Sequence, residues 1–122
     1  MEWLKHFTIQ DDGHSILVND WLQGKRYGTD GDKLIYEENY LNDKQHGTQY
    51  WWHDNGRLSN ELNYANDKPH GMQRHWHRNG QLEDEEYYDN GLKHGIYRSW
   101  HMNGELNDER KYINDVRHPF VV

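Results

Sequence analysis

Ten histidines and a row of glutamates are the residues of this 122-residue chain that could do chemistry, and metal binding is what they suggest first. His46, His70, His94 and His118 follow one another at intervals of 24 residues, as do His53, His77 and His101. Glu37, Glu61, Glu85 and Glu109 keep the same interval. If one period spans two strands about 4.8 Å apart, equivalent residues stand roughly 10 Å from each other. The ligands of one zinc ion each lie about 2 Å from it, so members of one ladder cannot share an ion. His75-Trp76-His77 sets two imidazoles a full pleat repeat apart, which gives at best a weak exposed site. A structural role is therefore assigned to the histidines, and no metal or cofactor is expected.

The glutamate row has two readings, an acidic strip for a partner or a solvated face paired with cross-strand Arg, Lys or His. Each such pair is worth well under about 1 kcal/mol. The run Glu83-Asp84-Glu85-Glu86 concentrates four charges with no basic residue close in sequence. Glu83, Glu85 and Tyr87, joined by Glu61 and Glu109, are the expected partner-binding residues. Trp51 is added because later blocks have His75 and Ser99 at its position, so a large aromatic breaks the repeat on the side expected to meet water. No nucleophile motif, phosphate-binding glycine loop or carboxylate pair outside the repeat appears, which points away from an enzyme and leaves no catalytic residue to name.

The elements that position these residues follow from the 24-residue period. Trp52, Trp76 and Trp100 recur, then Asn55-Gly56, Asn79-Gly80 and Asn103-Gly104, then Leu58, Leu82 and Leu106, then Tyr64, Tyr88 and Tyr112. Such a period marks stacked units, each too small to bury its apolar residues alone. Each block reads as two strands. Thr48 to His53 runs to a tight turn at Asp54-Asn55-Gly56, and Arg57 to Tyr64 returns before a longer turn from Ala65 to Gly71. Turn residues recur too often for helices to fit between them.

Strict alternation places Thr48, Tyr50, Trp52, Leu58, Leu62 and Tyr64, with their equivalents, in one apolar stripe. Gln49, His53, Glu61, Asn63, Gln73 and Glu85 then face water. The expected fold is an all-β, elongated, twisted antiparallel meander of stacked β-hairpins, in one domain. Its parts are a divergent N-terminal hairpin cap at 1–23, a degenerate repeat at 24–46, clear repeats at 47–70, 71–94 and 95–118, and a C-terminal stop at 119–122. In that stop Pro119 withholds a donor from the last edge.

Composition narrows the function. Hydrophobic residues make up 33% of the chain, too few for a thick core, and six Trp and nine Tyr carry much of that share. The formal charge of −7 disfavours nucleic acid, which binds through Lys and Arg, and suits a basic protein partner. Cysteine is absent, and no apolar run has the length of a signal peptide or a membrane span, so a cytoplasmic location with no membrane partner is the expectation.

The pattern of Gly47, Trp52, Asn55, Gly56, Leu58, Glu61 and Tyr64, repeated one and two periods later, resembles the variant MORN repeat of bacteria. The likeness covers residues 24–118. It implies a hairpin-repeat fold with no catalytic motif and, because proteins of this type are often antitoxins or immunity proteins, a toxin as partner. The expected function is therefore a non-enzymatic protein that occludes the basic active surface of a cognate toxin. Alternatives are a repeat scaffold that assembles into homo-oligomers through its edge strands and, third, a carbohydrate or cell-wall binding module.

Overall fold

Asn, Asp and Gly punctuate the chain at intervals that leave room only for strands. The computed structural model describes residues 6–9, 14–18 and 23–119, and the described residues form strands and turns without a helix. The strands are β1 (His6–Ile9), β2 (His14–Val18), β3 (Gln23–Asp30), β4 (Lys33–Leu41), β5 (Lys44–Gln45), β6 (Gly47–Trp52), β7 (Leu58–Ala65), β8 (Lys68–Trp76), β9 (Leu82–Asp89), β10 (Leu92–Lys93), β11 (Gly95–Trp100), β12 (Leu106–Ile113) and β13 (Val116–His118). They form one antiparallel sheet in the order β1-β2-β3-β4-β6-β7-β8-β9-β11-β12-β13, with β5 beside β4 and β10 beside β9. Spatial order is chain order, so the sheet is the all-β hairpin meander that the period predicts. Residues 120–122 of the C-terminal stop expected at 119–122, and residues 1–5, 10–13 and 19–22 of the N-terminal cap, lie outside the described residues.

Two turn types alternate. At one end of the sheet Asn42-Asp43, Asn66-Asp67, Asn90-Gly91 and Asn114-Asp115 close two-residue hairpins. The Asn φ values are 47–51° and those of the second residue 64–88°, as a type I′ turn requires. The single long turn read from Ala65 to Gly71 is thus corrected. The chain turns within two residues, re-pairs at once, and then kinks at Gly71, whose φ of +102° an L side chain would resist. At the other end Asp54-Asn55-Gly56 and its two repeats form three-residue loops. There Gly56 N donates to His53 O at 3.0 Å, Gly80 N to His77 O at 3.0 Å and Gly104 N to His101 O at 2.9 Å.

Register corrects the assignment of faces. Trp51 pairs with Asn60 and Trp52 with Leu58, which leaves Ser59 as an extra residue; Glu83 and Asn107 are its counterparts. A β-bulge of this kind shifts parity by one. The Trp residues stay with Leu58, Leu82 and Leu106, but Leu62, Tyr64, Tyr88 and Tyr112 pass to the opposite side. The front face therefore carries Thr48, Tyr50, Trp52, Glu61 and Asn63, and the back face Gln49, Trp51, Asn60, Leu62 and Tyr64.

Among the described residues no second layer covers either face, and most strand residues are half-buried. The one large side chain fully buried among the described residues is Gln49, at 1% exposure, followed by Gln73 at 4%. Both had been expected to meet water. They are buried because each amide replaces a missing stretch of ladder. Opposite Asn63, β8 carries three residues, His70-Gly71-Met72, and the backbone pairing lapses. Gln73 Oε1 accepts from Asn63 N at 3.0 Å and Gln73 Nε2 donates to Asn63 O at 2.7 Å. Gln49 does the same for Asn39, whose N donates to Gln49 Oε1 while Gln49 Nε2 donates to Asn39 O at 2.9 Å.

Candidate functional site

The glutamate row becomes a ladder when the strands pair. Tyr27, Glu37, Tyr50, Glu61, Arg74, Glu85, Arg98 and Glu109 lie side by side across the front face as successive register partners. Arg98 Nε stands 2.8 Å from Glu109, Arg74 Nε 3.4 Å from Glu85, and Lys25 Nζ 3.8 Å from Glu37. Alternating charge on a half-exposed sheet stabilises cross-strand register, with each pair worth a fraction of a kcal/mol. Of the two readings of this row, the paired face describes the geometry.

The acidic run Glu83-Asp84-Glu85-Glu86 is likewise largely compensated. Asp84 Oδ1 is 2.6 Å from His75 Nδ1, Glu85 meets Arg74, and Glu86 accepts from Tyr88 OH at 3.1 Å with Lys93 Nζ 3.8 Å away. Desolvation and the Glu86 charge push the Tyr88 phenol up to about 12, so it stays a donor. The sequence could not show His75, Arg74 and Lys93 as partners because pairing brings together residues seven to eleven positions apart. Glu83 alone of the four projects from the bulge as an exposed residue.

The structure thus brings Glu61, Glu85, Glu109 and Tyr87 to one face, sets Glu83 at its bulge, and places Trp51 on the other. Trp51 lies against Tyr36 with ring centroids 4.8 Å apart, and Tyr36 in turn lies over Gly28.

The back-face row through Trp51 reads Gly28, Tyr36, Trp51, Asn60, His75, Asp84, Ser99, Asp108. It holds the residue types of a hydrolytic triad in the wrong order. Asp84 stands between His75 and Ser99, whereas a serine nucleophile must meet the ring nitrogen that the carboxylate does not. Ser99 Oγ instead takes a hydrogen bond from Asn107 Nδ2 at 3.2 Å. The pair His75–Asp84 therefore works as a charge pair.

The hydrogen bond that His75 Nδ1 donates to Asp84 raises the His75 pKa above its ordinary 6.5 against the opposing effect of burial. A raised folded value means that the native state binds the proton more tightly. The stabilisation is complete below pH 6.5 and is lost as pH rises through the folded value. Melting temperature should therefore fall across that window, and His75→Ser, which copies Ser99, should flatten the fall. An unchanged pH profile in His75→Ser would remove the pair from the stability of the sheet.

Two other histidines, His53 and His77, staple unit to unit. His53 Nε2 donates to Trp76 O at 2.9 Å and His77 Nε2 to Trp100 O at 2.9 Å, since a carbonyl only accepts. Asn55 Nδ2 donates to Arg78 O at 2.9 Å and Asn79 Nδ2 to Met102 O at 2.8 Å. At the opposite end Asp67 Oδ1 accepts from Gln45 N, and Asp115 Oδ1 from Lys93 N, both at 2.7 Å. Among the described residues no three His, Asp or Glu side chains cluster as metal ligands would.

Periodic Trp, Asn-Gly, Leu, Glu and Tyr on paired hairpins, with periodic polar staples between them, define a repeat family. Residues 45–66 and 69–90 match the MORN repeat variant. No curated protein and no solved structure matches the chain. MORN repeats are in general protein- or membrane-binding motifs and are typically non-catalytic. No described helix is long and apolar enough to cross a membrane. The two MORN matches contain the seam closed by Gln73 and Asn63, a pair that sequence reasoning missed. Its signal was present: Asn39 and Gln49 stand one period before Asn63 and Gln73, and both positions change together to Tyr87 and Tyr97 one period later.

Proposed function

We propose that this chain is a non-enzymatic protein-binding sheet: a bacterial, cytoplasmic antitoxin or immunity protein that occludes the basic active surface of a toxin. The observation that carries the reading is a single layer with two open, half-exposed faces, whose most deeply buried polar side chains serve its own backbone. Among the described residues most other side chains keep part of their surface exposed for contact. The net charge of −7 suits a basic partner, and Glu83 and Glu105, both exposed and off the paired ladder, are its first contacts.

Co-expression with the products of adjacent genes tests this. One of them should be toxic alone, harmless with this chain, and bound by it directly, with binding about tenfold weaker in Glu83→Lys/Glu105→Lys. If no adjacent product is bound or neutralised, the antitoxin reading fails. The scaffold reading is favoured by a separate observation. β13 pairs with Lys111–Ile113 alone, which leaves the outer edge of Leu106–Arg110, the edge away from β11, without a strand partner among the described residues.

A further inference from the structure

Asparagine followed by glycine is chemically labile, because a glycine has no Cβ to hinder its amide nitrogen as it attacks the neighbouring side chain. The three-residue loops each carry such a pair, Asn55-Gly56, Asn79-Gly80 and Asn103-Gly104. The loops share their internal bonds. Gly N donates to the carbonyl of His53, His77 or His101, and Asn Oδ1 accepts from Arg57 N at 3.0 Å, Gln81 N at 3.0 Å or Glu105 N at 2.9 Å. They differ in what holds the leaving group. Asn55 Nδ2 donates to Arg78 O and Asn79 Nδ2 to Met102 O, each in the next unit, and Arg57 Nη1 further ties down Asn79 O. Asn103 Nδ2 meets no acceptor among the described residues.

Packing separates the loops in the same way. His53, Leu58, His77 and Leu82 flank the first two loops and are half-buried, whereas every residue from His101 to Asn107 is exposed. Met102 is 59% exposed and Leu106 54%. The fourth Asn-Gly pair, Asn90-Gly91, sits in a type I′ turn whose Gly91 N donates to Pro69 O of the preceding unit at 2.8 Å, so it stands outside the comparison. The repeat thus supplies its own control: three like loops, of which two are anchored and one is not.

We infer that Asn103 is a site of spontaneous deamidation in the folded protein, a reaction from which the staples protect Asn55 and Asn79. Gly104 N loses its proton and bonds to Asn103 Cγ, the Cγ–Nδ2 bond breaks, and Nδ2 leaves as ammonia. Water then opens the cyclic imide. Cleavage of the new Gly104 N–Cγ bond leaves aspartate, and cleavage of the original peptide bond leaves isoaspartate. Either product adds a negative charge two positions before the exposed Glu105, and isoaspartate also lengthens the loop backbone by a methylene group. To reach Gly104 N the Asn103 carboxamide has to release only Glu105 N, in a loop with few contacts to resist local opening. At Asn55 and Asn79 the same rotation must also break a bond to the next unit. One net hydrogen bond lowers the population of the open loop about three- to tenfold.

Incubation of the whole chain at mildly alkaline pH and physiological temperature, followed by peptide mapping with mass spectrometry, tests the inference. Asn103 should convert to aspartate and isoaspartate about three- to tenfold faster than Asn55 or Asn79. In guanidinium chloride, where the loops no longer exist, the difference should vanish. A native chain in which Asn55 or Asn79 keeps pace with Asn103 overturns the proposal, because the staples then protect nothing. So does an Asn103 that stays intact in the folded chain. A ranking that survives denaturation overturns it as well, since it would trace the reactivity to neighbouring residues in sequence and not to the fold.

Discussion

Gln73→Met is expected to lower the unfolding free energy by about 2–3 kcal/mol, as much as the loss of a good core residue, although a polar side chain is exchanged for an apolar one of similar length. Gln73 is 4% exposed, and both ends of its amide are bonded to the backbone of Asn63. Methionine fills the space but leaves that N–H and C=O without partners where the ladder lapses, at a cost of about 1–3 kcal/mol for each buried group and less where water can enter. Gln73→Glu should fare no better, since an ionised carboxylate accepts but cannot donate to Asn63 O. Urea unfolding followed by tryptophan emission reads the difference. A loss below about 1 kcal/mol would mean that water replaces the amide freely. Gln49→Met should behave in the same way at the preceding seam.

The sequence made the period, the turn chemistry and the meander legible because Asn-Gly, Asn-Asp and the kink glycines are local requirements of backbone geometry. It concealed the faces. Ser59, Glu83 and Asn107 are ordinary strand residues, and nothing about them signals the bulge that moves Leu62 and Tyr64 away from Trp52. The partner-binding residues divide along the same line. Glu61, Glu85 and Glu109 share a face because they share a period, which a sequence displays. Their neutralisation by Arg74 and Arg98 depends on register, which it does not. Trp51 stood out as a break in the repeat, yet its neighbour Tyr36, fifteen residues earlier, could be known only from the pairing of β4 with β6.

The same pairing leads to the second large effect, at Gly28. This glycine is buried, and its backbone is not in the left-handed region, so conformational freedom does not explain it. Space does: a Cβ at Gly28 would run into the ring of Tyr36, which lies over the glycine and is held there by Trp51 on its other side. A ring clamped between neighbours cannot swing away as a flexible chain end can. Gly28→Ala should therefore cost about 2–3 kcal/mol, in the range of overpacked sites, and should alter the near-ultraviolet circular dichroism of the Tyr36–Trp51 pair. The intrinsic preference of alanine over glycine in a strand acts in the opposite direction, by roughly 0.5–1 kcal/mol, so a net loss isolates the clash. A double-mutant cycle decides the cause. Tyr36→Ala removes the ring and forfeits its stacking, and once it is gone Gly28→Ala should become neutral or mildly stabilising, a coupling of more than about 2 kcal/mol. If the two losses simply add, the glycine is needed for some reason other than the tyrosine above it.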